Sequence, residues 1–366
     1  MQPFDRYLLV KRRHDRRTAR ARSAARRRER RLIGFGALVG LFAAALLMGA
    51  AWLYTGVTAN LPNPALLETL LDPAAGPLLQ PTRIYDRSGQ HLLASLDNPG
   101  VPRRYLSIDP ETPEHIEPLL VHAFVALHDP TFWSDPGVRL DRLTDPRPVT
   151  LAEKLVSDLL LWAEPDGWQK TVRMRLLAAQ VVQTYDHSQV LEWVLNSASF
   201  GHRAYGVDSA ARLYLGKPAT RLTLAEAALL AAISETPALN PLDAPAAVRE
   251  LQPLALRRMV NAGQISEADY QLAAAEQLVF APAPLRYATE ATPPTGAPAA
   301  AFTNLVIQQL SAHFDRDWIE RGGLQIVTTL DAGLQRQLTC TLQAQLAGGP
   351  AHRPAGSDCD AARLLP

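Results

Sequence analysis

The chain has 366 residues, of which 47% are hydrophobic and 20% are charged, and this is enough for one large folded domain or two smaller ones. Its formal net charge of +1 hides an asymmetry. Residues 1–31 hold 13 Lys or Arg against three acidic residues, whereas the rest of the chain holds 24 basic and 33 acidic residues. This split excludes a uniformly basic protein and indicates a basic tail on an acidic body.

The segment after the tail predicts a membrane anchor. Leu32–Tyr54 is 23 residues long and carries no charge, and as a helix it would span roughly 34 Å, enough to cross a bilayer. The arginines before it place residues 1–31 in the cytoplasm and everything after Tyr54 outside, in a single-pass topology. The lipid bilayer is therefore an expected partner and nucleic acid is not, although nucleic-acid binding stays an alternative for the tail. A cleaved signal peptide is the weaker alternative to the anchor.

The remaining segments predict a mostly α-helical protein with a small β-hairpin. Residues 55–81 are rich in Pro and Leu and indicate a stalk, and Thr82–Leu96 has β-forming residues on both sides of the turn Asp-Arg-Ser-Gly. Apolar periodicity predicts successive helices from about Glu117 to Gln277. A Pro/Ala/Thr-rich linker follows at residues 281–301, and then come a helix, a strand and a last helix.

Local signals locate several of these helices. Thr150 and Glu153 have capping-box spacing before "LAEKLVSDLLLW", and Asp186 is an expected N-cap of "HSQVLEWVLN". The segment "IEPLLVHAFVALHD" is apolar on nearly all sides, so we expect it to be buried, and "LTLAEAALLAAI" is expected at the centre of the domain. Gly263 is an expected C-cap between two helices in residues 245–277.

The chain has two cysteines, Cys340 and Cys359. The predicted topology places both in an oxidising compartment, and the Gly/Pro-rich segment between them suits a disulfide. Two unrelated thiols are the alternative. No Cys/His cluster has metal-ligand spacing, so no metal site is expected.

One stretch, Asn196–Pro245, resembles glycosyltransferase family 51, the peptidoglycan polymerase module of bifunctional class A penicillin-binding proteins and monofunctional transglycosylases. The segment "VLEWVLN" is similar to the family's I-L-E-x-Y-L-N helix and keeps Glu192 and Asn196. Gly206 and "LTLAEAALLA" follow in the family's order, and the resemblance extends from about Thr82 to Gln335. It implies a lysozyme-like transglycosylase fold, lipid II or glycan strands as ligands, and other cell-wall synthesis proteins as partners.

In this family a Glu in an E-D-x-x-F motif is the general base, and a second Glu, in R-K-x-x-E, assists at the pyrophosphate or its divalent cation. Here "HDPTFW" has His128 at the position of the first Glu, and Met174 stands at the position of the second. The implied cation site is therefore expected to be lost, and no cofactor is expected. The resemblance implies that the substrate-binding positions are Asp129, Phe132, Thr150, Lys154, Lys170 and Asn196.

These replacements favour a catalytically impaired protein that binds glycan, lipid II or a partner at the outer membrane face during cell-wall biogenesis. Removing one acid–base or electrostatic group typically costs about 10²–10⁴ in rate, and several are replaced. Three alternatives stay open: an active lipid II polymerase that uses His128 as its base, a truncated or split class A penicillin-binding protein, and a membrane scaffold that binds no glycan.

The replaced positions also have ordinary structural interpretations. His128 would be a helix-terminal residue whose cation is favoured by the helix dipole, Met174 would fill a gap in the core, and Thr150 would cap a helix with Glu153. These interpretations are favoured over catalytic or substrate-binding roles for the same residues.

The C-terminal part resembles the segment that joins this module to a transpeptidase domain, as "GGLQIVTTLDAGLQ" at Gly322–Gln335 shows. The transpeptidase motifs S-x-x-K, S-x-N and K-T-G do not occur in the sequence, so no acylation by penicillin is expected. The expected organisation is a basic cytoplasmic tail (1–31), a transmembrane helix (32–54), a stalk (55–81), a glycosyltransferase family 51-like domain (82–280), a linker (281–301) and a linker-region remnant (302–366).

Overall fold

A computed structural model describes residues 38–52, 54–98, 101–134, 145–281 and 300–346, and this part of the chain is mostly helical, as predicted. Its helices are α1 (Leu38–Thr58), α2 (Leu66–Leu70), α3 (Pro118–His128), α4 (Leu151–Leu159), α5 (Trp168–Thr184), α6 (His187–Ser197), α7 (Val207–Leu215), α8 (Leu224–Glu235), α9 (Pro245–Asn261), α10 (Glu267–Ala274), α11 (Ala300–Ser311), α12 (Arg316–Arg321) and α13 (Ala332–Leu346). The strands are β1 (Thr82–Tyr85), β2 (Leu92–Leu96) and β3 (Gln325–Val327).

The predicted membrane helix corresponds to α1, with a different C-terminal bound. α1 has 21 residues and a mean hydropathy of 1.8, and among the described residues it is the one helix long and apolar enough to cross a membrane. It continues past Tyr54 to Thr58. The hydroxyls of Thr55 and Thr58 donate to the carbonyls of Trp52 and Tyr54, so these polar side chains are satisfied within the helix. Residues 32–37, where the helix was predicted to begin, lie outside the described residues.

The chain divides into two compact units, Met1–Leu61 and Pro62–Pro366, and the larger one has a three-helix core. α8 packs against both α3 and α9, and all of its residues from Ala225 to Ser234 are buried. A capping box between Thr223 and Glu226 begins α8, and Pro118 stands in the first turn of α3, where its missing N–H costs nothing. The predictions that α3 is buried and that α8 is central are confirmed.

A second group of helices lies beside this core. α4 packs against α5 and α6, and both predicted caps are present, because the side chains of Thr150 and Asp186 accept hydrogen bonds from the third residues of α4 and α6. Gly263 has φ +70° just after α9, as a helix-ending glycine requires. Local sequence signals thus placed these helix ends correctly.

The predicted hairpin is part of a larger sheet. β1 pairs antiparallel with β2 and parallel with β3, which gives the strand order β2-β1-β3. Ile84 is fully buried in the sheet and packs with Ile307 of α11 and Ile319 of α12. The segment after the predicted linker is therefore packed against the hairpin, although the predicted domain boundaries themselves stay a prediction.

A tight turn precedes α7. Gly206 has φ +83°, and a Cβ at this position would lie 2.8 Å from the carbonyl oxygen of Asn196, so only glycine fits without a backbone shift. Phe200 is fully buried, and its carbonyl accepts a 2.7 Å hydrogen bond from the Tyr214 hydroxyl.

Candidate functional site

His128, which the sequence resemblance puts at the position of the family's general base, ends α3 and contacts α8. Its Nε2 lies 2.7 Å from the Ser234 hydroxyl and 3.2 Å from the Ala231 carbonyl, and its ring stacks on Phe124 at 4.2 Å between centroids. Because the Ser234 hydroxyl itself donates to the Ala231 carbonyl at 2.8 Å, Nε2 is the protonated nitrogen that donates to Ser234. Nδ1 then carries the lone pair.

The charge state of His128 differs from the sequence prediction. Burial lowers its pKa from 6.5 to about 4; nearby Glu235 partly opposes this shift, and Lys154 and Arg258 add to it. A pKa near 4 corresponds to about 3 kcal/mol against the imidazolium, whereas a helix C-terminus favours the cation by about 0.3–1 kcal/mol. Desolvation therefore prevails, and the helix-end cation expected from the sequence is a neutral imidazole at pH 7.

A Ser–His hydrogen bond of this length also occurs in hydrolases, but it has a different setting here. An open cleft of about 580 Å³ is lined by His128, Asp129, Val149 and Arg258, whereas Ser234 does not line it. Ser234 is buried and bonded within α8. A hydroxyl that faces no substrate space cannot serve as a nucleophile, so Ser234 orients the imidazole instead.

The two retained residues of the "HDPTFW" motif have structural contacts. Asp129 is buried, and its carboxylate accepts hydrogen bonds from the Leu151 N–H at 3.3 Å and from the Thr131 hydroxyl at 3.1 Å. It thereby joins the end of α3 to the start of α4, where a negative charge is favourable. Phe132 is buried and lies edge-on to His187, with the ring centroids 5.3 Å apart.

Thr150 and Lys154 are on the first turns of α4. The Thr150 hydroxyl accepts from the Glu153 N–H at 3.1 Å, which confirms that it caps the helix. The Glu153 carboxylate accepts from the Val149 N–H at 2.7 Å. Lys154 is half-exposed and pairs with Asp158 at 3.5 Å, which leaves its ammonium accessible from solvent.

Met174, which the sequence resemblance puts at the position of the second family Glu, is buried on α5, as the core-filling interpretation predicts. It lines a cavity of about 390 Å³ together with Pro148 and Lys170. Lys170 forms a 3.0 Å ion pair with Asp166 one turn earlier. Arg147 and the Asp166 carboxylate also line this cavity, but the position that the resemblance gives to the family's second Glu holds the uncharged Met174.

The two replaced positions line different cavities. His128 lines the larger cleft with Val149, and Met174 lines the smaller cavity with Pro148. Because Pro148 and Val149 are consecutive, the segment 145–150 borders both cavities, and we call it the wall segment. Residues 135–144, which precede this wall, lie outside the described residues.

A buried ion pair fixes this wall, and sequence analysis missed it. Glu153 is fully buried, and its Oε1 lies 3.5 Å from Nε of the buried Arg175. Arg175 Nη2 also donates to the Asp145 carbonyl at 2.7 Å. The pair therefore binds both ends of the segment through Val149 and Asp145. The capping-box spacing identified Glu153, but only as a helix cap, and no sequence signal pointed to Arg175.

Asn196, the last predicted binding residue, lies away from both cavities. Its side chain exchanges two hydrogen bonds with the backbone of Leu106, at 2.9 and 2.8 Å. One turn earlier, the Glu192 carboxylate accepts from the Ile108 N–H at 2.9 Å. Both retained residues of "VLEWVLN" thus hold the irregular chain before α3, which is a structural role.

The structure also bears on the predicted metal and cysteine chemistry. Among the residues that the structure describes, no group of three or more His, Cys, Asp or Glu side chains is arranged to hold a metal ion. The apolar Met174 is a poor ligand for the hard divalent cation that the family uses, so the residues present do not fit that ion. Cys340 is disulfide-bonded, but Cys359 lies outside the described residues, so the pairing of these two cysteines stays a prediction.

Comparison with known proteins supports one family. Residues 148–260 match the family model described as Transglycosylase. Penicillin-binding protein 1A of Aquifex aeolicus is 33% identical over 242 residues, which cover 62% of this chain and 31% of that protein. Penicillin-binding protein 2D of Bacillus subtilis is 28% identical over 243 residues, which cover 60% of this chain and 33% of that protein.

A solved structure is also similar. The crystal structure of penicillin-binding protein 1A from Haemophilus influenzae aligns with 77% of this chain and 33% of its own chain, at 21% identity and a TM-score of 0.34. The chain spans about a third of the length of the relatives it matches. Residues 148–260, which extend from just before α4 to near the end of α9 and include Met174, therefore match the transglycosylase family model, and this match does not reach His128.

Proposed function

We propose that this chain is a membrane-anchored, transglycosylase-like protein that binds peptidoglycan strands or lipid II at the outer face of the membrane and has lost most polymerase activity. The observation that carries the proposal is the chemistry of the two replaced positions. His128 is a neutral imidazole bonded to Ser234, and Met174 is a buried thioether. Neither side chain can supply the negative charge that a carboxylate would.

The absence of a carboxylate at position 128 matters for the proton-transfer step. A general base works best when its pKa lies near the working pH, and the low pKa of His128 makes it a weak proton acceptor. A neutral base also becomes a cation when it accepts a proton, in a setting that already contains Lys154 and Arg258. The imidazolium would therefore form against burial, and the attraction of nearby Glu235 offsets this cost only in part.

Retained binding is supported by the two cavities. The cleft of about 580 Å³ and the cavity of about 390 Å³ both lie within the size range of small-molecule sites. Two lysines can contact the phosphate groups of a bound ligand. Lys154 is half-exposed on α4, and Lys170 lines the smaller cavity. Binding without turnover is thus compatible with the geometry.

The test compares polymerisation with binding. We expect the purified protein in detergent to bind lipid II by microscale thermophoresis but to form no glycan strands. His128→Glu alone should remain inactive, and His128→Glu with Met174→Glu should restore a trace of activity, because groups that act as a unit are not additive. His122→Glu, an exposed change on the same helix, is the matched control. Polymerisation by the unmodified protein would contradict the proposal, and so would the absence of lipid II or glycan binding.

An active polymerase is the second candidate function, and one observation favours it. His128 lines the larger cleft, and its Nδ1 carries a lone pair at neutral pH. If this nitrogen is the base, His128→Ala should abolish polymerisation, whereas His122→Ala should not. The rate should then rise with pH through about 4, because the base acts in its unprotonated form.

A further inference from the structure

A third cavity, away from the two described above, lies beside α2 and α4. It has a volume of about 340 Å³ and is lined mainly by apolar side chains. The wall includes Leu66, Leu70, Leu159, Leu160, Trp162 and Trp318. The two tryptophans stack at 3.6 Å between ring centroids and at an interplanar angle of 16°, which gives the cavity one flat and rigid side.

The polar groups at this cavity are bonded to one another or to the backbone. Arg321 Nη1 donates to the Ser197 carbonyl at 3.3 Å, and Nη2 lies 3.9 Å from the Asp158 carboxylate. Lys154 also pairs with the Asp158 carboxylate, at 3.5 Å, so the charged groups here are engaged with protein partners. The cavity therefore suits an uncharged, apolar ligand rather than a sugar or a phosphate.

The position of the cavity in the chain indicates where such a ligand would come from. Pro62, which lines the cavity, follows the end of α1 at Thr58 by four residues. Chain length alone keeps these two residues within about 14 Å of each other. If α1 crosses a bilayer, the cavity lies close to the membrane surface, where tryptophans are enriched and the hydrocarbon chains of lipids are abundant.

We infer that this cavity binds one hydrocarbon chain of a membrane phospholipid. Leu66 is 47% exposed, so an apolar chain that enters beside it would cover apolar surface that water now contacts. Such a bound chain would hold the region after the anchor against the membrane. The inference rests on the proposed membrane anchoring but not on the proposed loss of polymerase activity.

The test uses the full chain in vesicles of phosphatidylethanolamine and phosphatidylglycerol. A fraction of the phosphatidylglycerol carries a photoactivatable diazirine at the end of one acyl chain. After irradiation and proteolysis, mass spectrometry should find the lipid attached to α1 and also to residues 66–78 or 159–162. Leu70→Trp, which fills the cavity, should abolish the second set of products and leave those on α1.

Leu272→Trp is the matched control, because Leu272 is 77% exposed and is not among the residues that line the cavity. Leu66→Asp is a second variant that charges the cavity entrance without changing the core, and circular dichroism verifies that each variant is folded. Labelling of α1 alone would overturn the cavity site and leave the anchor intact. Labelling of the cavity alone would support the site and contradict the anchor. Labelling of neither, or cavity labelling that persists in both cavity variants, would overturn the inference.

Discussion

The half-buried imidazole of His128 predicts a specific dependence of stability on pH. In the unfolded chain its pKa is the ordinary 6.5, and in the folded protein it is about 4. Between these values the unfolded state binds more protons, so this group removes stability as the pH falls from about 6.5 to 4. Linkage gives a loss of about 2 kcal/mol from this histidine alone between pH 7 and pH 4.5.

His128→Gln tests this prediction, because an amide can still donate to Ser234 but does not titrate. Urea unfolding of the full chain in detergent would be measured at pH 7 and pH 4.5, and the variant should lose about 2 kcal/mol less than the unmodified protein over this interval. His122→Gln is the control, since His122 is exposed on the same helix. Equal losses in the unmodified protein and in His128→Gln would refute the argument that burial keeps this imidazole neutral.

Three further outcomes are expected. Phe200→Ala should lower the free energy of unfolding by about 3–5 kcal/mol, because the ring of Phe200 is fully buried. The exposed change Leu272→Ala should lower it by less than about 0.5 kcal/mol. Urea unfolding measures both values, and a small loss for Phe200→Ala would contradict the burial of Phe200. Arg175→Met should lower the free energy of unfolding by about 3–5 kcal/mol, because it leaves the buried Glu153 carboxylate without its cationic partner. The double change with Glu153→Met should recover part of that stability. Strictly additive losses in the two single variants and the double variant would show that the pair is uncoupled. A reporter fused after Pro366 should be active only if it functions outside the cytoplasm, and an active cytoplasmic reporter there would reverse the proposed topology.

Sequence reasoning succeeded where the determining contacts are local. The caps at Thr150 and Asp186 depend on residues three positions away, and the burial of α8 follows from its own composition. A short-range pattern contains all the information that such features need. The fold class and the helix positions could therefore be predicted.

Sequence reasoning failed where distant segments meet. The Ser234 hydroxyl that orients His128 is 106 positions away in the chain, and Arg175, which pairs with Glu153, lies on a different helix. No periodicity or motif records these contacts. The charge of His128 was predicted wrongly for the same reason, because the dipole of its own helix is visible in the sequence but the side chains that bury it are not.

The pairing of β1 with β3 also sets an order of events during synthesis. The Tyr85 carbonyl of β1 accepts a hydrogen bond from Thr328, which is 243 positions later. At about 5–20 residues per second, a ribosome needs roughly 12–50 s to make the intervening chain. Throughout that time one edge of β1 has no native partner, and an unpaired edge can join the strand of another chain. The nascent protein is therefore most prone to aggregate before residue 325 emerges, and a chaperone that covers the hairpin during this interval would raise the yield of folded protein.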